Sequence, residues 1–171
     1  EINLEGENLL NKSDREMQSV RGSRIAMILQ DPMTALNPVF KISDQVGETL
    51  NIHKKLKGSQ LYNAIIDMLE KVNIPAAKER MNDYPHQLSG GMRQRVVGAI
   101  GVSCSPTILI ADEPTTSLDA TIQAQYLRLL KDLQNEFGMA ILFITHDFGI
   151  VAKMCDRVAV MYAGRIVEIG E

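Results

Sequence analysis

Short apolar runs alternate along the chain with stretches that carry helical periodicity. Residues 24–29 form a compact apolar run of strand length that stops at Gln30. Three further runs of this kind cover residues 108–111, 140–144 and 158–162. Because short apolar strands separated by helices are typical of parallel sheets, the pattern predicts an α/β fold with a largely parallel sheet covered on both faces.

The two ends of the chain carry hairpin patterns. Near the start, Ile2 and Leu4 alternate with polar residues before a turn at Gly6, which predicts a strand that enters a hairpin. Near the end, a turn at residues 163–164 leads from one apolar run into another at residues 166–169. We therefore expect a second hairpin there.

Helical periodicity dominates residues 38–87. One apolar face follows a capping residue predicted at Ser59 and comprises Leu61, Ile65, Leu69 and Val72. The segment reads as a helical subdomain inserted into the sheet domain. A short helix is predicted at residues 14–20. Another helix is predicted to end near Gly138, with helical spacing of Ile122, Tyr126, Leu129, Leu130 and Leu133.

Composition narrows the class of protein. The 171 residues are 45% apolar and 23% charged, as in ordinary globular domains, and no apolar run approaches the roughly 18 residues of a spanning helix. A net charge of -3 gives no electrostatic reason to expect nucleic acid as a partner. Cys104 and Cys155 are too few for a disulfide framework, so we expect both to be small buried hydrophobes.

A phosphate-binding turn is predicted at Ser89, Gly90 and Gly91. These residues directly precede a helix-compatible stretch, so backbone amides and the positive end of the helix dipole can meet a phosphate there. Glycine permits a close approach, and the serine hydroxyl adds a donor. The structural alternative is an ordinary helix-start turn.

Two carboxylates follow the apolar run at residues 108–111. Ligands of open α/β sheets bind beyond the carboxyl ends of the strands, where Asp112 and Glu113 are expected to lie. Asp112 is placed to hold Mg²⁺, and Glu113 reaches further and is placed to act as general base on a water molecule. The structural alternative is a solvated strand exit.

Three other polar residues complete the candidate site. His146 follows the run at residues 140–144 and is predicted at the same sheet edge, where it can donate to a phosphate or orient water. Gln30 is placed to ligate Mg²⁺ or to touch the attacking water, and Asp119 to cap the next helix. The structural alternative for His146 is the more common role of a lone histidine. The structural alternative for Gln30 is an exposed glutamine at a strand end with no role in the chemistry.

Together these motifs resemble the nucleotide-binding domain of ATP-binding cassette transporters. Gln30 matches the Q-loop, residues 88–94, ending at Gln94, the signature, residues 108–113 the Walker B strand, and His146 the switch histidine. The segment Ser117-Leu118-Asp119 matches the D-loop. The resemblance covers the chain from its first residues to its last.

The resemblance implies a fold, cofactors and partners. It implies an ATPase core at residues 1–37 and 107–171 with a helical subdomain at residues 38–106, and binding of ATP with Mg²⁺. Two such domains pair head to tail in this family, so Ser89, Gly90, Gly91, Gln94 and Asp119 would serve nucleotide at the interface with a second ATPase subunit. Glu113, His146 and Gln30 would act in hydrolysis.

A narrower resemblance concerns residues 30–38 and 121–125, which are similar to those of bacterial oligopeptide, dipeptide and nickel importer ATPases. It implies that the Q-loop segment and the helical subdomain receive a transmembrane permease subunit. The protein would then lie peripherally on the cytoplasmic face of the membrane.

The chain departs from the family pattern in two respects. The P-loop pattern G-x-x-x-x-G-K-[ST] occurs nowhere in it, so we expect the amino-terminal strands and P-loop to be missing. We then expect this chain alone to bind ATP weakly or not at all and not to hydrolyse it, and unpaired strand edges and apolar surface to be exposed. Gly98 and Gly101 lie in the predicted signature helix, where each costs about 1 kcal/mol of helix stability.

Two other functions fit the sequence. A non-transport cassette ATPase of DNA repair or translation shares the motifs, although repair types separate the two halves by a long coiled coil and no sustained heptads occur here. A non-catalytic interaction fragment also shares them. The presence or absence of a P-loop in the upstream reading frame distinguishes an enzyme from such a fragment.

Overall fold

A computed structural model of the chain describes residues 1–116 and 118–171, with the side chains of all of these except Pro32 and Met33. Seven strands and eight α-helices lie within these residues. The strands are β1 (Asn3–Leu4), β2 (Glu7–Asn8), β3 (Ile25–Ile28), β4 (Ile108–Asp112), β5 (Ala140–Ile144), β6 (Val158–Tyr162) and β7 (Arg165–Gly170).

Strands β3, β4 and β5 form a three-stranded parallel sheet in the order β3-β4-β5. Its register aligns Met27 with Ile110 and Ile110 with Leu142. The three strands coincide closely with the predicted apolar runs. Their carboxyl ends lie at one edge of the sheet, as the sequence predicted.

The fourth predicted strand differs from expectation. Within the described residues β6 pairs only with β7, antiparallel, and it does not extend the parallel sheet. The turn between them places Ala163 and Gly164 at φ 47° and 75°, which suits the tight turns that match strand twist. Local pairing through this turn explains why the predicted hairpin forms. The predicted hairpin of β1 and β2 forms too.

The helices are α1 (Asp14–Val20), α2 (Pro32–Ala35), α3 (Ile42–Lys54), α4 (Gly58–Lys71), α5 (Ala77–Arg80), α6 (Gly90–Val102), α7 (Ala120–Phe137) and α8 (Phe148–Met154). Short 3-10 turns cover Leu9–Asn11 and Pro85–Gln87. The predicted cap at Ser59 is wrong, because α4 already begins at Gly58 and Ser59 lies inside its first turn. The predicted end of α7 is confirmed, with Gly138 in the left-handed region at φ 64°. No helix of the described residues is both long and apolar enough to span a membrane.

The two faces of the parallel sheet are covered unequally. Ala26, Ile28, Leu109 and Ala111 are buried on the face against which α6 packs. On the opposite face Met27 is 46% exposed, Leu142 54% and Ile144 46%, so the predicted cover on both faces is wrong for that end of the sheet. The covered part of that face is its other end, where Ile25 and Ile108 pack against a small cluster of Leu4, Leu9 and Val20.

The glycines of α6 allow it to approach its neighbours closely. A Cβ added at Gly98 would lie 3.0 Å from the Tyr126 hydroxyl oxygen, and one added at Gly101 would lie 3.3 Å from Leu109. Both positions are buried, so the lost helix propensity is offset by packing against α7 and β4. The sequence predicted that these glycines weaken the helix, but it did not predict the close packing that they allow.

We expect Gly98→Ala to lower the free energy of unfolding by about 1 kcal/mol. The contact with the enclosed Tyr126 hydroxyl costs about 1–3 kcal/mol by overpacking, and helix propensity returns about 1 kcal/mol. Denaturant unfolding measures the change. Gly90→Ala is the matched control, since a Cβ there meets nothing within 4 Å.

The cause of this loss is checked by repeating Gly98→Ala in a Tyr126→Phe background, which removes the opposing oxygen atom. There the substitution should be neutral or stabilising. An undiminished loss in that background would show that the hydroxyl is not the obstacle.

Candidate active site

Glu113 lies where β4 ends and is held against β5. Its backbone N–H donates to the carbonyl of Ile144 at 2.9 Å, which continues the pairing of the two strands by one residue. Its φ is 45°, in the left-handed region that non-glycine residues rarely adopt. Such strain persists where surrounding structure enforces it, and it is concentrated at functional sites.

Three donors surround the Glu113 carboxylate. Oε1 accepts from the His146 backbone N–H at 3.1 Å and lies 2.6 Å from His146 Nδ1. Oε2 accepts from the Thr116 hydroxyl at 2.7 Å. A ring nitrogen 2.6 Å from a carboxylate oxygen must be a donor, so Nδ1 carries a proton. The other ring nitrogen, Nε2, belongs to a side chain that is 80% exposed.

These contacts shift the pKa values of both partners. Burial alone would raise the pKa of Glu113, but the hydrogen bonds from His146 and Thr116 outweigh it and lower the pKa. The same carboxylate raises the pKa of His146, with a further small contribution from Asp147. Glu113 is therefore ionised at neutral pH and His146 is more readily protonated than a free histidine.

Asp112 and Gln30 end neighbouring strands at the same edge. Asp112 is the last residue of β4, and Gln30 lies two residues beyond Ile28, which pairs with Ala111. A carboxylate and an amide oxygen are hard ligands that suit Mg²⁺, which usually takes one or two protein groups and keeps several waters. The residues present therefore fit Mg²⁺. In the described part of the chain, no group of three or more His, Cys, Asp and Glu side chains forms a cage for a metal ion.

The Ser89 turn starts α6. Ser89 is the N-cap, and its hydroxyl accepts from the Met92 backbone N–H at 3.3 Å. Ser89 and Gly90 are exposed, while a Cβ at Gly91 would lie 2.9 Å from Ile122 of α7. The first amides of α6 thus point from an exposed, glycine-lined helix start, the geometry that binds phosphate.

The structure corrects the prediction for Gln94. Its side chain is fully buried, and Nε2 donates to the Pro114 carbonyl at 2.7 Å, so it is enclosed between α6 and the segment after Glu113. An enclosed amide cannot contact a nucleotide at the surface. Asp119 caps α7 as predicted, by accepting from the N–H groups of Thr121 and Ile122 at 3.0 Å each. Ser117 of the predicted D-loop lies outside the described residues.

Sequence reasoning missed Thr116 and Pro114. Thr116 bonds the Glu113 carboxylate across a three-residue turn, and Pro114 supplies the carbonyl that Gln94 contacts. The position of Thr116 three residues after Glu113 at the end of a strand is the one signal that could have indicated it. No pattern in the sequence indicates the contact between Gln94 and Pro114, because it depends on how α6 packs.

A protein-family model described as "ABC transporter" matches residues 1–116. The chain belongs to the ABC transporter family. The match contains the Q-loop glutamine, the Ser89 turn and the Asp112-Glu113 pair. This confirms the resemblance and the α/β ATPase fold inferred from the motifs.

Relatives of the ABC transporter family include ATP-binding proteins of peptide transport. The probable peptide ABC transporter ATP-binding protein y4tR of Sinorhizobium fredii is 54% identical over 168 residues, which are 98% of this chain and 50% of that protein. The oligopeptide transport ATP-binding protein OppD of Bacillus subtilis is 54% identical over 170 residues, 99% of this chain and 48% of that protein. The chain thus spans about half the length of these curated relatives.

Solved cassettes share the fold. A dimeric post-hydrolysis state of the ATP-binding cassette MJ0796, bound to ADP and phosphate, superposes with a TM-score of 0.85 at 25% identity, covering 98% of this chain and 71% of that one. CbiO1 of Clostridium perfringens, part of the transporter complex CbiONQ, gives a TM-score of 0.76 at 29% identity, covering 91% and 59%.

We expect Glu113→Gln to lower the pKa of His146 toward its ordinary value of about 6.5. A raised pKa in the folded state means that the pair stabilises the protein fully below the ordinary histidine pKa and is lost as pH rises through the raised one. At the acid end, the lowered pKa of Glu113 means that the pair is lost as pH falls through that value.

NMR titration of the His146 ring protons measures the shift. Asp147→Asn is the matched control, because asparagine can keep the cap on α8 and the contribution of Asp147 to the His146 pKa is small. A His146 pKa that is unchanged by Glu113→Gln would contradict the contact between the two side chains.

Proposed function

We propose that the complete protein binds ATP with Mg²⁺ and hydrolyses it to power peptide import by an ABC transporter. The observation that carries the proposal is the Glu113–His146 contact at the carboxyl edge of the parallel sheet. A carboxylate held there beside a histidine suits the orientation of a water molecule. Family membership and the peptide-transport relatives support the reaction and the cargo.

Glu113 acts chiefly by orientation. Its lowered pKa keeps it ionised, so it accepts a hydrogen bond from water but is a modest base. Thr116 and the His146 backbone fix both carboxylate oxygens, which limits the directions in which water can bind. The contact with Glu113 raises the pKa of His146 and so favours its protonated ring. In that form the exposed Nε2 also carries a proton and is placed to donate to charge that develops on a phosphoryl group.

Asp112 and Gln30 would hold Mg²⁺ at the neighbouring strand ends. When bound, the ion supplies positive charge that neutralises phosphate oxygens. Gln30 belongs both to this edge and to the segment that enters α2, so it links the site to the helices that follow.

Ser89, Gly90 and Gly91 would contact ATP held mainly by a second ATPase subunit, with Asp119 near the shared interface. The exposed helix start supports this role, since its amides are presented to the surface. Among the described residues, the Ser89 side chain bonds only within its own turn. The MJ0796 cassette is dimeric in a state bound to ADP and phosphate, which is consistent with such pairing.

The segment after Gln30 and the helices beyond it would receive a permease subunit. Val39 is 71% exposed and Phe40 52%, and both lie on a loop that Gln45 fastens. The Gln45 amide donates to the carbonyls of Asn37 and Phe40 at 3.0 Å each and accepts from the Asn37 N–H at 2.8 Å. A rigid loop that presents two apolar side chains is suited to docking.

This docking surface would belong to the helical subdomain, residues 38–106, inserted between the two parts of the ATPase core. In the same subdomain, a groove of about 670 Å³ lies between α3 and α4. Through the permease, the protein would be peripheral to the cytoplasmic face of the membrane.

A chimera tests the proposed reaction. Residues 1–171 replace the matching half of Bacillus subtilis OppD, and ATP turnover is measured in the assembled transporter of that organism. Glu113→Gln should lower turnover by about 10²–10⁴-fold while Mg-ATP binding persists, because only the orientation of water is lost. Glu136→Gln is the control, since Glu136 is a surface residue that pairs with Lys71 and should leave turnover unchanged.

Unchanged turnover in the Glu113→Gln chimera would refute the assigned role. A chimera that binds Mg-ATP and never hydrolyses it, even with Glu113 intact, would favour a non-catalytic protein.

A further inference from the structure

The strained backbone of Glu113 is held from two sides. On one side its own N–H donates to Ile144 of β5 at 2.9 Å. On the other side the carbonyl of the next residue, Pro114, accepts from Gln94 Nε2 at 2.7 Å. A left-handed φ at a non-glycine residue persists only when its surroundings enforce it, so both bonds matter to the position of the carboxylate.

Gln94 is a costly residue to place there. It is fully buried, and its Oε1 atom has no well-formed hydrogen bond among the described residues; neither does the neighbouring hydroxyl of Tyr126. Burial raises the pKa of Tyr126 well above its usual range, with the adjacent Gln94 side chain acting in the opposite direction. A buried amide that leaves one atom unpartnered costs stability, and its remaining bond is the one to Pro114.

We propose that Gln94 is a positioning residue that holds Glu113 in its left-handed conformation through the Pro114 carbonyl. Proline strengthens the link, because its ring fixes φ and stiffens the backbone between the bonded carbonyl and Glu113. Further along, the Thr116 N–H donates to the Glu113 carbonyl at 3.3 Å and Gln123 Nε2 donates to the Thr115 hydroxyl at 3.2 Å. The Gln94 bond adds the anchor on Pro114, the residue directly after Glu113. With the Ile144 and Gln94 bonds in place, the carboxylate stays beside His146.

The link also joins two parts of the proposed site. Gln94 lies little more than one helical turn after Ser89 on α6, so a shift of the exposed helix start moves the anchor of Glu113. This consequence rests on the proposed function, in which Ser89 contacts nucleotide held by a second subunit. The anchoring itself does not depend on it.

Amide hydrogen exchange of the nucleotide-free protein tests the anchor. Gln94→Met keeps the side-chain volume and removes the donor. We expect exchange of the His146 N–H, which donates to Glu113 Oε1, and of the Glu113 N–H to accelerate about tenfold relative to other amides.

Val102→Ala is the matched control. It creates a cavity at the fully buried far end of the same helix and should accelerate globally exchanging amides without singling out those two. If Gln94→Met behaves like Val102→Ala, Gln94 is only a packing residue and the proposal is overturned.

A second variant tests the same link from its other end, so the proposal can still be tested if Gln94→Met fails to fold. Glu113→Ala removes a partly exposed side chain with its bonds to His146 and Thr116. The freed segment should loosen its hold on Gln94, so the Gln94 side-chain amide protons should exchange several-fold faster. Unchanged exchange of those protons would overturn the proposal.

These results are independent of ATP turnover. A chimera that fails to hydrolyse ATP would count against the proposed function and leave the exchange data intact. Exchange data that overturn the anchor, in a chimera that hydrolyses ATP at the full rate, would count against the anchor alone.

Discussion

The parallel pairing of β4 with β5 is the constraint on which the candidate site depends. The register places Asp112 opposite Ile144 and extends one residue further through the Glu113 N–H. Because side chains alternate between the faces of a strand, a shift by one residue would turn Glu113 away from His146. The strands are short and apolar, yet their alignment decides which polar groups meet at the end of the sheet.

The packing of α6 supplies the second condition. Its glycines let it lie close to Ile28, Leu109 and Tyr126, and this approach brings Gln94 within reach of Pro114. A helix of the same length with larger residues at those positions would stand further from the sheet. The glycines that weaken α6 as an isolated helix are therefore what connect it to the loop that carries Glu113.

The sequence predicted the parts of this arrangement that depend on local pattern. Apolar runs located β3, β4 and β5, and the order of motifs placed Glu113 and His146 at one sheet edge, which the structure confirms. The roles assigned to these residues remain predictions. The cap at Ser59 was wrong because lysine and glycine residues begin α4 without a side-chain cap.

Features that depend on tertiary contact were out of reach. The sequence does not show whether the Gln94 side chain faces solvent or is enclosed between α6 and Pro114. The structure shows that it is buried. Exposed apolar surface was expected, but its location at Met27, Leu142 and Ile144 was not predicted, because an apolar strand pattern does not say which face a helix will cover. The hairpin of β6 and β7 was predicted, but the sequence did not show that, within the described residues, β6 would stay outside the parallel sheet.

The most direct measurement is the tautomer of neutral His146, read from the ¹⁵N chemical shifts of its ring above its pKa. If the register of β4 and β5 brings Glu113 against Nδ1, the proton must reside on Nδ1, because only a donor can face a carboxylate oxygen at 2.6 Å. A proton on Nε2 would make Nδ1 an acceptor. That result would contradict the contact and, with it, the placement of the two residues at one site.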